Sequence, residues 1–548
     1  VRARRLPAVV VIVVVLVALA IADHRRTPPS RTDTIASTAL MPMTSPPGAV
    51  SSSFYCAGGA ASTDSVFDAT VVLANPDDQP AAATVTAYPA AASTDDAGQT
   101  AVAALKPVAK GITVPARGRA EVHLADLQVS PFAAALVETN GPDIAVERRV
   151  AGKVGAQSSP CASAPSSNWV VPTGTTTRDA HEFLAVFNPF AVDAVVDVTL
   201  QTSDGFRSPE GLQGLPVAGG HLRVVDLAAE VPRLEHLTAF VAARSGEVVV
   251  DRLQSFDGSD ANHPAGAAAT VAAPAAAPVW LFPEGEVADG LKDTITIANP
   301  GDQPTDAQVE ITLEDPAKNG SVDPIPATVP ARGYVQVPMQ DQTRVPMGVA
   351  FASVVRTLRG PGVVAERVVQ AASPAPRRGY APALGAPLVA TKWLFADGRA
   401  VANSAAEFLV AYNPSTTAAT LSVTALAQGQ LLAVEGLQDV SVPAGARVAI
   451  ELGAHVNRPD LTLLVSVDHP LVVERGIYAA SGPGASMSMG IPVATTTAPP
   501  PSTPPPPPAP PSTVAANASD TSSSATTTTA PPTTAPPTTA PPPATVSS

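Results

Sequence analysis

Along the body of the chain, apolar residues alternate with mixed ones in short runs that end at turn-forming residues. Before each of four Asn-Pro steps, the second and fourth residues back are Leu73 and Val71, Val186 and Leu184, Ile297 and Ile295, or Ala411 and Leu409. A period of two predicts a strand with one apolar face. Proline has no N–H for a sheet ladder and asparagine favours turns, so Asn-Pro ends each strand. Alternation then resumes, as in Val196, Val198, Leu200 and in Val309, Ile311, Leu313. A later hairpin is expected in each copy. In the first, Ala135-Leu136-Val137 turns through Asn140-Gly141 into Ile144-Ala145-Val146; in the fourth, Asp468-His469-Pro470 leads into Leu471-Val472-Val473. No stretch of the body carries helical periodicity with caps.

The same landmarks return in the same order. Asn75, Asn188, Asn299 and Asn413 are spaced by 113, 111 and 114 residues. Trp169, Trp280 and Trp393 stand 19 or 20 residues before the last three, and Phe54-Tyr55-Cys56 fills that place in the first copy. An acid-Arg pair follows an apolar triplet as Glu147-Arg148, Asp251-Arg252, Glu366-Arg367 and Glu474-Arg475. Val-Pro-Ala recurs at 114–116, 329–331 and 442–444, whereas the second copy has Leu215-Pro216-Val217-Ala218. Recurrence of this kind defines repeats. Each repeat of roughly 100 residues has about seven short strands, which suits an immunoglobulin-like β-sandwich better than a propeller blade of ~40–45 residues. The expected fold is therefore all-β, a tandem array of four immunoglobulin-like repeats with an N-terminal apolar helix and a disordered C-terminal tail. The expected segments are 1–26 (signal peptide or membrane anchor), 27–53 (linker), 54–164 and 168–260 (repeats one and two), 261–278 (Ala/Pro linker), 279–373 (repeat three), 374–391 (linker), 392–493 (repeat four) and 494–548 (tail).

The N-terminus sets the expected compartment. Arg2, Arg4 and Arg5 precede an unbroken apolar run, Leu6 to Ala22, with small residues near its end. This is a secretory signal pattern, cleaved after Ala22, or a retained single-pass anchor at the short limit of ~17 residues. Either reading places the body outside the cytoplasm. Two cysteines, Cys56 and Cys161, bracket the first repeat and read as a disulfide in an oxidising compartment. Beyond Thr495 the chain is almost wholly Pro, Thr, Ser and Ala, a composition that stays disordered and resembles O-glycosylated stalks.

Composition narrows the chemistry. With 33 Lys plus Arg against 47 Asp plus Glu, the net charge is −14, which argues against a nucleic-acid-binding body. The eight histidines form no His-Glu-x-x-His motif, and no nucleophile elbow, phosphate loop or dinucleotide fingerprint is present. No catalytic residue, cofactor or metal site is expected. Neighbouring residues on a strand point to opposite faces, so the acid-Arg neighbours cannot simply pair with each other. Arg148, Arg252, Arg367 and Arg475 are read as ion-pairing with other strands or repeats, against a shared glycan- or partner-binding surface. The tryptophans are read as core plugs, against sugar-stacking platforms.

The steps Trp280-Leu281-Phe282-Pro283-Glu284-Gly285 and Trp393-Leu394-Phe395-Ala396-Asp397-Gly398, followed by Asn-Pro, Val-Pro-Ala and Val-Glu-Arg, resemble uncharacterised exported proteins of actinobacteria that carry a domain of unknown function. The resemblance covers about residues 54–493. It implies β repeats in a cell-envelope setting and carries over no catalytic residue. The expected function is a non-enzymatic envelope or secreted protein that presents β domains to an envelope protein or glycan, bound to the membrane through residues 6–22 if these are retained. An array of carbohydrate-binding modules is the alternative.

Overall fold

The structure, a computed structural model, describes residues 40–90, 105–260, 262–315, 318, 322–427 and 429–503, all within one unit of the chain. The apolar run Leu6–Ala22 and residues 504–548 lie outside these. Among the described residues no helix is long and apolar enough to cross a membrane. The fold is all-β, with every pairing between strands antiparallel.

The first repeat shows the plan. Its strands are β1 (Ser52–Cys56), β2 (Asp68–Asn75), β3 (Ala81–Ala90), β4 (Val108–Val114), β5 (Gly118–His123), β6 (Phe132–Thr139), β7 (Ala145–Gly152) and β8 (Gly155–Pro160). They form two sheets, ordered β1-β6-β3-β4 and β5-β2-β7-β8. Val71, Leu73, Val85, Val137 and Val146, from both sheets, share one core. The expected hairpin is not one. Strands β6 and β7 belong to different sheets, so the turn at Asn140-Gly141 is an arch that carries the chain across the core. In the fourth repeat the crossing is a single strand, Arg458–Ala479, whose first half pairs in one sheet and second half in the other.

Asn-Pro makes the other crossing, from β2 into β3. Buried Asn75 accepts from the N–H of Asp77 (3.0 Å) and donates through Nδ2 to the carbonyls of Gln79 (2.8 Å) and Val114 (3.4 Å). Asn188, Asn299 and Asn413 repeat all three bonds, reaching Val217, Val329 and Val442. The Val-Pro step thus supplies the carbonyl that the asparagine needs. In the second copy Val217 takes that place.

The strands β8, Gly266–Val271, Gly379–Leu384 and Ala485–Met489 are the inner edges of four equivalent sheets. They pack against one another in a closed circuit, first to second to third to fourth to first. Two of them correct the expectation of linkers at 261–278 and 374–391. Poverty in large side chains reads as a spacer, yet here it lets four strands meet around one axis. A Cβ on Gly266 would lie 2.7 Å from the Cβ of Tyr380, and one on Gly155 2.8 Å from the Cα of Gly484. The linker expected at 27–53 is also ordered from residue 40: Met41, Met43, Thr44 and Ser45 are buried. The tail expected from 494 begins as structure, since Thr497–Ala498 pairs with Val389–Ala390 and the Pro501 carbonyl accepts from Arg356.

Each Asn side chain satisfies three backbone groups, two of them in the turn itself. Asn299→Ala is expected to lower unfolding free energy by about 2 kcal/mol, since buried partners lose their bonds. Denaturant titration with the exposed neighbour Asp302→Ala as control measures it.

Candidate functional site

The acid-Arg pairs sit in the same register four times. Glu147 and Arg148 of β7 lie opposite Val72 and Val71 of β2, and Arg148 lies opposite Ser159 of β8. Alternation sends the two side chains opposite ways. The even-numbered positions of β7 face the repeat's own core, whereas Ala145, with Val72 and Ala74, packs on Leu394 and Ile491 of the fourth repeat. Arg148 therefore starts inside its own core and emerges at the edge towards the second repeat, while Glu147 faces the fourth.

The result is a closed ring of buried ion pairs. Arg148 pairs with Asp251, Arg252 with Glu366, Arg367 with Glu474, and Arg475 with Glu147. Each arginine reaches the acid one repeat ahead, and the fourth reaches the first. Arg252 holds Glu366 bidentately at 2.6 and 2.9 Å. Arg475 holds Glu147 through both terminal nitrogens at 3.2 Å. The residue four positions after Trp, or after Phe54, completes each junction. The backbone N–H groups of Gly58, Glu284 and Asp397 donate to Asp251 (2.7 Å), Glu474 (3.0 Å) and Glu147 (2.7 Å), and the Thr173 hydroxyl donates to Glu366. Arg148, Arg252 and Arg367 also donate to the carbonyls of Gly58, Thr173 and Glu284.

Three further carboxylates stand beside this ring. Glu182, Asp293 and Glu407 occupy the position six residues before the asparagine, where the first repeat has Ala69. All three are fully buried, and those of Glu182 and Asp293 make no well-formed hydrogen bond. Burial pushes Glu182 up to about 8, against the pull of Arg252. It likewise pushes Asp293 and Glu407 up to about 7, against Arg367 and Arg475. Burial also raises the ring acids Glu147, Asp251 and Glu474, with the partner arginines opposing it. For Arg367, burial would lower the guanidinium, but Glu474 and Asp293 hold it above its ordinary value.

The tryptophans are core. Trp169, Trp280 and Trp393 are at most 2% exposed, and their indole N–H groups donate to the carbonyls of Val248 (2.8 Å), Val363 (2.6 Å) and Leu471 (3.0 Å). Each acceptor lies three residues before the ring acid. In the first repeat Phe54 has no such donor, and the equivalent carbonyl, Ile144, accepts instead from the N–H of Ser45 at 3.0 Å. Cys56 and Cys161 form a disulfide that ties β1 to the residue after β8. These residues are buried, and Trp280 borders an apolar cavity lined by Met41, Leu384 and Met489 among others. The acid six residues before Asn escaped sequence reasoning because Ala69 breaks the four-fold pattern.

Between the second and third repeats lies a polar cavity of about 230 Å³, lined by His236, His263, Lys292, Gln336 and Tyr380 among others. Burial lowers the His236 imidazole, against the pull of Glu235. His263 Nδ1–H donates to the buried Asp179 carboxylate at 3.0 Å.

Residues 132–400 match the model of a "Family of unknown function (DUF5719)". The match begins at β6 and ends with the strand Val389–Ala400. No curated protein matches the sequence. Among solved structures, Thermotoga maritima 1070 is 15% identical over 20% of this chain and 94% of that one, with a TM-score of 0.17. A tetra-tandem repeat in the extending region of a large adhesion protein is 13% identical over 81% of this chain and 99% of that one, at 0.09. Streptomyces avermitilis alpha-L-rhamnosidase is 10% identical over 74% of this chain and 54% of that one, at 0.10. At such scores none of these likenesses carries an argument.

Removing one member of a buried pair strands the other. Arg475→Ala is expected to cost about 3–5 kcal/mol, and Arg475→Met combined with Glu147→Leu much less. Equal losses in chemical denaturation would show that the pair is not an energetic unit.

The raised carboxylates set a second expectation. Between about pH 4.5 and 8 the folded protein keeps a proton on Glu182 that the unfolded chain has released. Stability from this source therefore falls as pH rises through that window. Glu182→Gln should flatten the decline in melting temperature between pH 5 and pH 8; an unchanged slope would assign the decline elsewhere.

Proposed function

We propose that the chain is a non-enzymatic structural and interaction protein of the cell envelope or the extracellular space. Its body is a rigid closed array of four immunoglobulin-like sandwiches, exported by residues 6–22 and either anchored there or released. One observation carries this reading: the recurrent charged residues, which would be the first candidates for catalysis, are spent on holding repeat to repeat. What the array then offers a partner is its outer loops in constant relative positions. The Cys56–Cys161 disulfide supports an oxidising compartment. The Pro/Thr-rich segment after 503 serves as a spacer or glycan-bearing stalk. Burial of all three tryptophans removes the motive for reading the repeats as sugar-stacking modules.

The test is fractionation of the native protein from its own cells with intact-mass analysis and whole-cell cross-linking. Recovery outside the cytoplasm, with the disulfide formed and cross-links confined to outer loops, is expected. A reduced cytosolic protein, or hydrolytic turnover abolished by a point substitution, would overturn the proposal.

A further inference from the structure

The second repeat holds a cluster of three side chains that could ligate a metal ion. Asp179 stands directly before the strand Ala180–Asn188, and Asp260 and His263 lie on the loop that follows the strand Val249–Phe256. The loop is fixed to the strand start by the Asp257 N–H, which donates to the Asp179 carbonyl at 3.0 Å. It is also turned by the Asp260 side chain, which accepts from the Asn262 N–H at 2.8 Å. One donor atom from each of Asp179, Asp260 and His263 lies within 4.8 Å of the other two.

Three features make this more than a hydrogen-bonded histidine. Asp179 and His263 are 5% and 7% exposed, so a carboxylate has been buried with only an imidazole opposite it. Glu235 stands on the other ring nitrogen at 3.5 Å, giving three carboxylates around one histidine. No lysine or arginine forms an ion pair with any of the three among the described residues. For one pair the spacing also suits coordination: a tetrahedral ion with bonds of ~2.0–2.1 Å needs ligand atoms about 3.3 Å apart, and Asp179 Oδ2 and His263 Nδ1 are 3.0 Å apart, with the Asp260 oxygen within 4.8 Å of both.

We infer that Asp179, Asp260 and His263 bind one divalent transition-metal ion, of the zinc class, at the edge of the cavity between the second and third repeats. An imidazole with two carboxylates suits Zn²⁺ better than Ca²⁺ or Mg²⁺, which prefer all-oxygen sets. Binding takes the His263 Nδ1 lone pair, and the one proton of the neutral ring moves to Nε2. Glu235 then accepts from Nε2–H, the carboxylate–histidine–metal arrangement that orients a ligand ring. Three protein ligands leave a fourth position open. The ligand pair Asp179–His263 is 84 residues apart in sequence, which is why no motif announces it.

The test uses the full chain, stripped with chelator and titrated with Zn²⁺ by calorimetry and with Co²⁺ by absorption spectroscopy. One ion per chain, a Co²⁺ visible spectrum of low-coordinate type and a rise in melting temperature are expected. Asp260→Asn is exposed and should fold as before, weakening Zn²⁺ at least tenfold; His263→Gln should abolish the Co²⁺ spectrum, and His236→Ala should leave it intact. Absence of saturable Zn²⁺ binding, binding unchanged in Asp260→Asn, loss in His236→Ala, or preference for Ca²⁺ or Mg²⁺ would each overturn the assignment.

Discussion

The structure depends on an arginine that begins in one sandwich core and ends on the next repeat's carboxylate. Taking both charges out of water costs several kcal/mol per ion, and attraction offsets this only when the geometry is good and further hydrogen bonds reach both groups. Here the terminal guanidinium nitrogens have a carboxylate and, in three junctions, a backbone carbonyl, and each acid also receives a backbone N–H or a hydroxyl, while the four buried Nε–H groups have no hydrogen-bond partner among the described residues. Closure follows from the same physics. In an open row of four, Arg475 would leave the fourth core beside Phe395 with no acid ahead of it, and Glu147 would face outward without a cation. Closing the row into a ring pairs all eight charges within one chain.

Departures from four-fold repetition are explained by what surrounds them. Asp251 is shorter than its three glutamate equivalents, and its junction has Gly58 where the others have Thr173, Glu284 and Asp397. A Cβ at Gly58 would come within 3.0 Å of the Asp251 Cβ, so glycine is what lets the backbone reach a shorter acid. Ala69 replaces the second buried carboxylate, and Arg148 accordingly faces one acid where Arg252, Arg367 and Arg475 each face two. Arg148 also bonds the Ala269 carbonyl, while its bond to the Ser159 hydroxyl is matched by that of Arg475 to Ser488.

Much of this was legible in the chain, and the limits have physical causes. Asn-Pro, Val-Pro and acid-Arg recur because each serves one local geometry four times, and a recurrent local geometry leaves a recurrent local pattern. Direction of pairing was not legible, because whether Arg148 meets an acid ahead or behind depends on sheet twist and packing. Nor was sheet membership: period two predicts β6 and β7 but is silent on whether their turn is a hairpin or an arch. The axial strands misled most. Gly-Ala-Ala-Ala-Thr-Val at 266–271 has the composition of a spacer, and only its neighbours make it a closely packed inner strand.

The junction between the fourth and first repeats is the only one that no connecting chain spans, and it is built differently. Asp397 there holds Arg149 and accepts from the Ser158 hydroxyl, and burial, which works against its charge, is overcome by Arg149. Residues 40–45 run along the seam: the Thr44 N–H donates to the Pro492 carbonyl, the Ala494 N–H to the Thr44 hydroxyl, and Ser45 bonds Gly141, Asp143 and Ile144. Loss of the tryptophan donor at Phe54 is what frees the Ile144 carbonyl for this strap. The disulfide lies in the same repeat and fixes the stretch from Phe54 to Gly58 on which the first junction is built. Where a loop of about 100 residues is cross-linked, the chain-entropy model gives up to ~4.7 kcal/mol. The first repeat thus trades a recurrent core contact for a strap at the seam where the ring lacks a connecting chain, and for a covalent tie behind its junction with the second repeat.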